Sequence, residues 1–204
     1  LLVSISTIVV SLLVWLKSKL PAVDSKTQEL VKHLAMYDYN NEERDSKEMH
    51  ELRNENYLEM VENYYSLTTD LFHIIWGPHF SMGVLFPVEN GEWQSYRACQ
   101  QMYQCYLALS LGANENSVIG DFGCGVGGPT RCIAQFTGAK IKAVNISRYH
   151  LGLMEKYNKE ANIDHRIELI RSDYHATPIE SNSLDGVYMC ESLGHSPDYK
   201  MLCR

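Results

Sequence analysis

From residue 113 onward, short apolar runs alternate with segments whose apolar positions recur at helical spacing. The apolar runs SVIGDFGC, AKIKAVNIS, HRIELIRSDY and SLDGVYMCES predict four strands, and helices are predicted between them at VGGPTRCIAQFTG and SRYHLGLMEKYNKEAN. Alternation of this kind indicates parallel strands joined by crossover helices, so residues 113–204 are predicted to form a doubly wound α/β sheet. Ligands of such sheets bind beyond the carboxyl ends of the strands.

Residues 21–112 lack that alternation and predict a helical extension. An aromatic stretch from Tyr57 predicts a helix that leads into an irregular loop around Pro78. A second helix is predicted over 92–111, with Gly112 at its C-terminus. Its aromatic and apolar residues share one face, which is typical of core packing: Trp93, Tyr96, Tyr103, Tyr106 and Leu107.

The first sixteen residues, LLVSISTIVVSLLVWL, carry no charge and are followed at once by Lys17 and Lys19. As a helix this run is about 24 Å long, somewhat short of a roughly 30 Å hydrocarbon core. We interpret residues 1–20 as a membrane-anchor helix that holds the downstream chain on the cytosolic side, at the endoplasmic reticulum. The alternative is a buried or interfacial helix. A signal peptide fits less well, because the positive charge follows the apolar run.

The charge balance and the cysteines exclude several classes of protein. The chain has 18 basic and 25 acidic residues, a formal net charge of −7, which argues against nucleic-acid binding through general electrostatics. Its six cysteines form no CxxC pair, so we predict reduced thiols and no metal site. The start at Leu1 and the stop inside a predicted helix indicate a piece of a longer protein.

A glycine-rich segment, DFGCGVGGP, follows the first predicted strand and opens a helix, the context that a nucleotide-type ligand loop requires. We interpret its third glycine as one residue too early for GxGxxG, although Gly128 follows in the sixth position, and it lacks the GK[ST] of a phosphate loop. The segment therefore points away from dinucleotides and nucleoside triphosphates, towards a ligand without a phosphate to bind. S-adenosylmethionine is the obvious candidate.

The segment also closely resembles the core motif of the sterol methyltransferases, a family of class I S-adenosylmethionine-dependent methyltransferases. The resemblance covers most of residues 57–204. It continues in the aromatic region YYSLTTDLFHIIWGPHF, in VNISRYH after the second strand, in RSDYHATPI after the third and in ESLGHSPD after the fourth. It implies a Rossmann-like class I methyltransferase sheet, here its N-terminal half only, preceded by helices and the hydrophobic N-terminal helix.

The resemblance implies a cofactor site. The methionine part of S-adenosylmethionine would be held by Asp121, Gly123, Gly125 and Gly127. Asn145 matches the position that hydrogen-bonds the ribose, and its alternative is a turn residue. Asp173, with Tyr174 beside it, matches the position that approaches adenine, and its alternative is a helix N-cap.

The resemblance also implies catalytic and substrate residues. Methyl transfer to an alkene carbon leaves a carbocation, so Glu191 would supply negative charge and His195 a base. The alternative is a buried Glu–His hydrogen bond that holds the loop. An apolar wall for a sterol would be formed by Trp76, His79 and Phe80, for which the alternative is a small satellite core beneath a loop.

One segment departs from the family. Where sterol methyltransferases typically read Tyr-Glu-Tyr-Gly-Trp-Gly, this protein has FHIIWG over 72–77. Methylation at C-4, beside a C-3 ketone, is therefore an alternative to methylation at C-24 in the tail of the sterol. Two further alternatives are a methyltransferase of the same superfamily acting on another lipid or small molecule, and a non-catalytic membrane-attached lipid-binding protein. The sequence is also compatible with a homo-oligomer. We expect the 204 residues to bind cofactor without turnover.

Overall fold

The computed structural model describes residues 47–81, 83–84 and 93–202. The predicted membrane anchor at 1–20 lies outside the described residues. Within the described ranges, no helix combines the length and the apolar character needed to cross a membrane. The chain divides into two compact units, one ending at Leu67 and the other beginning at Thr68. The sheet and all the candidate site residues belong to the second unit.

Helices and strands appear in the predicted order. The α-helices of the described residues are α1 Lys47–Trp76, α2 Tyr96–Ser110, α3 Gly128–Thr137, α4 Arg148–Glu160 and α5 Tyr199–Leu202. The strands are β1 Val118–Phe122, β2 Lys140–Asn145, β3 Ile167–Arg171 and β4 Gly186–Tyr188. Short 3₁₀ turns lie at Gly77–His79, Asp164–Arg166, Tyr174–Ala176 and Leu193–His195.

The four strands form one parallel sheet in the order β3-β2-β1-β4, which confirms the predicted architecture. Strand β1 lies between β2 and β4, so the direction of strand order reverses beside β1. Ligand sites of open α/β sheets occur at such a reversal. The carboxyl ends of β1 and β4 are brought together there, because Asp121 pairs in register with Tyr188.

The crossover helices are positioned by local signals that the sequence contains. Ser147 caps α4, since its side chain accepts a hydrogen bond from the backbone N–H of His150. α3 ends at Thr137 and is capped by Gly138 in the left-handed conformation. A core of small and branched residues packs α3 and α4 against the sheet, with Ile119, Ile133, Ile141, Ala143 and Met154 at its centre.

The predicted core-facing side of α2 is wrong for Trp93 and Tyr106, whereas Leu107 packs against the core. Trp93 precedes the helix and is 66% exposed, and Tyr106 is 65% exposed. The buried side consists of Cys99, Gln100, Gln104 and Ala108. Two glutamines occupy it because they hydrogen-bond to the loop that follows α1: Gln100 Nε2 donates to Ser81 O at 2.5 Å, and Gln104 Nε2 donates to Ser81 Oγ at 2.8 Å. A pattern of apolar residues cannot reveal such a face.

Candidate functional site

The loop between β1 and α3 has left-handed backbone at three glycines. Gly123, Gly125 and Gly127 have φ of 82°, 54° and 77°. The loop entry is held by β2, where Val144 O accepts hydrogen bonds from the N–H groups of Gly123 and Cys124 at 2.9 and 3.1 Å. Because α3 begins directly after the loop, its free N–H groups and positive dipole end lie at the carboxyl edge of the sheet. This confirms the predicted strand–loop–helix unit.

The glycine loop is packed at both ends and open in the middle. A methyl group added at Gly123 would lie 2.3 Å from Cβ of Ser192, and one at Gly127 would lie 2.6 Å from the side chain of Met154. No atom lies within 4 Å of a methyl group added at Gly125. The open space at Gly125 therefore lies at the carboxyl end of β1, where open α/β sheets bind their ligands.

Asp121 lies beneath this loop and is 2% exposed. Its Oδ2 accepts hydrogen bonds from Thr130 Oγ1 at 2.5 Å and from the Tyr188 hydroxyl at 2.7 Å. Burial raises the pKa of Asp121 to about 6, and these two hydrogen bonds oppose the rise. Both bonds join the carboxylate to α3 and β4. Direct contact of Asp121 with a cofactor stays a prediction, and sequence reasoning missed both of its partners.

The loop after β4 is joined to the end of β1 through Ser192, a residue that sequence reasoning also missed. Ser192 Oγ donates to Phe122 O at 2.5 Å, and Ser192 O accepts from the Tyr174 hydroxyl at 3.3 Å. Burial, together with the charge of Asp173, raises the pKa of Tyr174 to about 12. Tyr174 is therefore a neutral donor that positions the loop carrying Glu191.

Asn145 and Asp173 both make the local contacts that their alternative interpretations describe. Asn145 Oδ1 accepts from the N–H of Ser147 at 2.9 Å, which shapes the turn into α4. Asp173 Oδ1 accepts from the N–H of His175 at 2.9 Å and caps the 3₁₀ turn after β3. Their roles towards ribose and adenine stay predictions.

Glu191 follows β4 in the left-handed conformation, with φ of 62°, and its side chain is exposed. Left-handed backbone is costly for a residue with a side chain, and such strain concentrates at functional sites. Burial raises the pKa of Tyr96 and of Tyr103, and the negative charge of Glu191 contributes to both shifts. The carboxylate therefore acts electrostatically on two phenol groups of α2. Neither tyrosine was among the site residues predicted from the sequence.

His195 closes the 3₁₀ turn that follows Glu191. Burial lowers the pKa of His195, so its imidazole is neutral at neutral pH. A neutral imidazole can accept a proton on its unprotonated ring nitrogen.

Two of the three residues predicted as a substrate wall share a neighbour, since Trp76 and Phe80 both pack edge-on against Phe72. Trp76 lowers the pKa of Tyr96, on which the negative charge of Glu191 also acts, while burial is the main cause that raises it. Phe80 packs edge-on among aromatic rings at centroid distances of about 6 Å, an arrangement that matches the satellite-core alternative: Phe72, His73 and His150. His79 is buried beside α3, and burial, with Arg97 and Arg131 nearby, lowers its pKa to about 3. Only Trp76 is connected to the surroundings of Glu191.

The loop fits the cofactor that the sequence predicts. Its open position beside Gly125 lets a ligand approach the backbone, and the start of α3 can bind a carboxylate. Among the described residues, no cluster of histidines, cysteines and carboxylates could hold a metal ion.

Comparisons with known proteins agree with this geometry. A family model described as a methyltransferase domain matches residues 120–204. Sterol 24-C-methyltransferase of Saccharomyces cerevisiae is 32% identical over 182 residues, which are 89% of this chain and 46% of the relative. Cycloartenol-C-24-methyltransferase of Arabidopsis thaliana is 32% identical over 148 residues, 72% of this chain and 43% of the relative. The chain thus spans less than half the length of these relatives.

Solved structures share the fold at low sequence identity. The [4+2]-cyclase SpnF superimposes with a TM-score of 0.57 at 20% identity, covering 64% of this chain and 47% of the cyclase. Geranyl diphosphate C-methyltransferase from Streptomyces coelicolor, crystallised with S-adenosyl-L-homocysteine, superimposes with a TM-score of 0.55 at 18% identity, covering 65% of this chain and 54% of that enzyme.

A parallel sheet in this order, with a glycine loop at the carboxyl end of β1 leading into α3, is part of a class I methyltransferase domain. Within that class, the sequence relatives identify the family. The chain belongs to the sterol methyltransferase family.

Proposed function

We propose that this protein is the cofactor-binding part of an S-adenosylmethionine-dependent sterol C-methyltransferase. The observation that carries the proposal is the open position at Gly125, within a loop whose neighbouring glycines are closely packed. The bound cofactor supplies an electrophilic methyl group on its sulfonium. The protein contributes the backbone of Gly123–Gly127 and the N-terminus of α3, held from below by Asp121.

The residues on the substrate side suit a reaction that develops positive charge. Glu191 supplies a carboxylate whose charge acts on the phenol groups of Tyr96 and Tyr103. A carboxylate and aromatic faces both stabilise a cation. His195 is neutral and can take the proton that a methylated carbon must lose. The Tyr96 hydroxyl donates to Ser81 O at 3.4 Å, in the segment that follows Trp76. These groups, together with the relatives named as sterol and cycloartenol methyltransferases, favour a sterol substrate.

The site of methylation on the sterol is the finer part of the proposal. The relatives carry C-24 in their names. In this protein, however, the segment that departs from the family is occupied by packing: Phe72 contacts Phe80, and His73 Nε2 lies 3.1 Å from the Tyr157 hydroxyl. These packing roles of Phe72 and His73 favour methylation at C-4. Mass spectrometry of products from a panel of C-3 ketones and Δ24-sterols, incubated with the full-length protein, distinguishes the two carbons.

Binding of the cofactor is tested on the 204 residues themselves by calorimetric titration with S-adenosylmethionine and S-adenosylhomocysteine, with NAD and ATP as controls. We expect binding of the first two compounds and no heat with the controls. Absence of binding by both adenosyl compounds in a folded protein would remove the proposed function. Binding of the cofactor together with no product from any sterol would favour the non-catalytic alternative or another lipid substrate.

Membrane attachment is a separate proposal that depends on residues 1–20. We expect the protein in the membrane fraction of the endoplasmic reticulum, with its methyltransferase domain facing the cytosol. Deletion of residues 1–20 should release it at ordinary salt. Release of the intact protein by a carbonate wash would indicate peripheral attachment, because a spanning helix resists that treatment.

A further inference from the structure

Arg131 in α3 connects the glycine loop to the segment that carries Trp76. Its Nη1 donates to Val126 O at 2.7 Å, inside the glycine loop. Its Nη2 donates to Pro78 O, also at 2.7 Å. The same Nη1 lies 3.4 Å from Asn158 Oδ1 in α4. One planar guanidinium thus joins two loops that are far apart in the sequence.

The charge of Arg131 is buried without a carboxylate in contact among the described residues. The residue is 6% exposed, and burial lowers its pKa to about 10, which leaves it charged at neutral pH. The face of the Tyr157 ring lies 5.3 Å from its central carbon. A buried charge is costly unless its donors are satisfied, so the two carbonyl groups that accept from it are held firmly. Movement of either loop would leave a buried donor without an acceptor.

The segment Gly77–Ser81 is also in direct backbone contact with the start of α3. A methyl group added at Gly128 would lie 2.2 Å from Cα of His79. On its other side, the segment is held by α2, through the bonds of Gln100 and Gln104 to Ser81. It therefore lies between the helix that follows the glycine loop and the helix that carries Tyr96 and Tyr103.

We infer that Arg131 is a positioning residue that couples occupancy of the glycine loop to the placement of Trp76. The inference rests on the proposed function. Val126 follows Gly125, the open position of the loop. A ligand at Gly125 therefore contacts the backbone next to the Val126 carbonyl that accepts from Arg131. Any shift of Val126 is carried by the rigid guanidinium to Pro78, two residues after Trp76. A lysine ammonium is a point charge and cannot make the same two-pronged contact.

Trp76 can report on this coupling by its fluorescence. In a Trp15→Phe/Trp93→Phe background it is the remaining tryptophan of the three in the sequence. The background protein is titrated with S-adenosylhomocysteine, the emission of Trp76 is recorded, and binding is measured in parallel by calorimetry. We expect the emission to change along the calorimetric binding curve. Arg131→Met should still bind, about 10-fold more weakly, with the emission change reduced at least about 5-fold at saturation.

Control variants separate coupling from general damage. Arg148→Met removes an exposed arginine at the start of α4 and should respond like the background. Circular dichroism establishes whether each variant is folded, and if Arg131→Met is unfolded, Arg131→Lys takes its place, with the same reduced response expected.

Four outcomes decide between the inference and the proposed function. A reduced response in the Arg131 variant with normal Arg148→Met supports the inference. A full emission change in a folded, saturated Arg131 variant overturns it, and so does a silent Trp76 in a background protein that binds. Failure of the background protein to bind S-adenosylhomocysteine overturns the proposed function instead.

Discussion

The hydroxyl of Tyr188 in β4 lies 2.7 Å from Oδ2 of Asp121, its register partner in β1, and donates a hydrogen bond to it. Thr130 donates to the same oxygen from α3. A single buried carboxylate oxygen therefore joins two strands and a helix directly beneath the glycine loop. Without these donors the ionised carboxylate would be costly to bury.

Removing one donor gives a destabilisation that depends on pH. Tyr188→Phe leaves Thr130 as the donor to Oδ2, which raises the pKa of Asp121 further above about 6. Loss of the Tyr188 hydroxyl destabilises the folded state only while Asp121 is ionised. We therefore expect the free energy of unfolding to fall by about 1–3 kcal/mol at pH 8, and by much less at pH 5.5, where the carboxyl is protonated. Urea unfolding at both pH values measures it. Tyr149→Phe is the control, because its hydroxyl donates to Asp70 at the exposed surface, where we expect a small and pH-independent effect.

Two glycines of the loop should respond differently to substitution. Gly123→Ala combines a left-handed backbone with a direct overlap on Ser192, and should cost more than about 2 kcal/mol of stability. Gly125→Ala meets no neighbour and should cost about 1 kcal/mol through its positive φ alone. Gly125→Val should in addition abolish binding of S-adenosylmethionine, because its side chain would project into the open position. Near-normal affinity in a folded Gly125→Val variant would contradict the cofactor site.

Gly152 provides the matched control for these loop variants. It lies in α4 with no atom near an added methyl group, so Gly152→Ala should raise stability by about 0.5–1 kcal/mol and leave cofactor affinity unchanged. Thermal unfolding and calorimetric titration of the four variants measure both quantities.

The charge of Glu191 can be separated from its shape in the full-length protein. Glu191→Gln keeps the size and removes the negative charge that acts on Tyr96 and Tyr103. If the charge stabilises a cation or takes a proton, turnover should fall about 10²–10⁴-fold, with cofactor affinity within a few fold. If Glu191 only holds the loop, Gln should substitute well and Glu191→Ala should do the larger damage. Parent-like turnover in the Gln variant would contradict a catalytic role of Glu191 and leave His195 as the leading candidate.

Acidification should destabilise the protein through its buried histidines. His150 Nε2 lies 2.7 Å from Thr69 Oγ1, and burial lowers its pKa to about 4, while an unfolded histidine titrates near 6.5. Between these values the unfolded chain binds the extra proton, so stability falls as pH drops from about 6.5 towards 4. One such proton changes the free energy of unfolding by about 1.4 kcal/mol per pH unit.

His150→Gln keeps a hydrogen-bonding group near Thr69 and removes the titration. It should lower the slope of unfolding free energy against pH by close to one proton at pH 5, where His79 and Asp121 still contribute with opposite signs. Urea unfolding from pH 7.5 to 5 in steps of half a unit measures the slope. An unchanged slope would show that His150 is not buried as a neutral group.

The sheet and the glycine loop could be predicted because their signals are local. Each strand is an apolar run of the right length, and the loop needs glycines at defined positions. The buried face of α2 could not be predicted, because Gln100 and Gln104 are buried by hydrogen bonds to a segment that lies about twenty residues earlier. Arg131 gave no signal either, since its acceptors are backbone carbonyls, which every residue has.

The predicted site residues illustrate the same limit. Asp173 and Asn145 were identified through a family motif, yet their observed bonds are the local turn contacts that these residue types make in many proteins. Phe80 and Trp76 are close in the sequence and both contact Phe72, but Phe80 also packs against His73 and His150, which the sequence pattern does not reveal. The electrostatic effect of Glu191 on Tyr96 and Tyr103 depends on how α2 packs. The sequence pattern does not reveal that packing.

The order of strands also determines when the cofactor loop can be completed during synthesis. The ribosome releases β1, β2 and β3 in chain order, with their crossover helices between them. Thr130, one donor to Asp121, follows it by only nine residues. Its second donor, Tyr188, comes 67 residues after it, and the Ser192 contact with Phe122 spans 70 residues. Until β4 arrives, β1 has an unpaired edge beside an unfinished loop, and such an edge invites pairing with other nascent proteins. At a translation speed of about 5–20 residues per second, this vulnerable interval lasts several seconds or more.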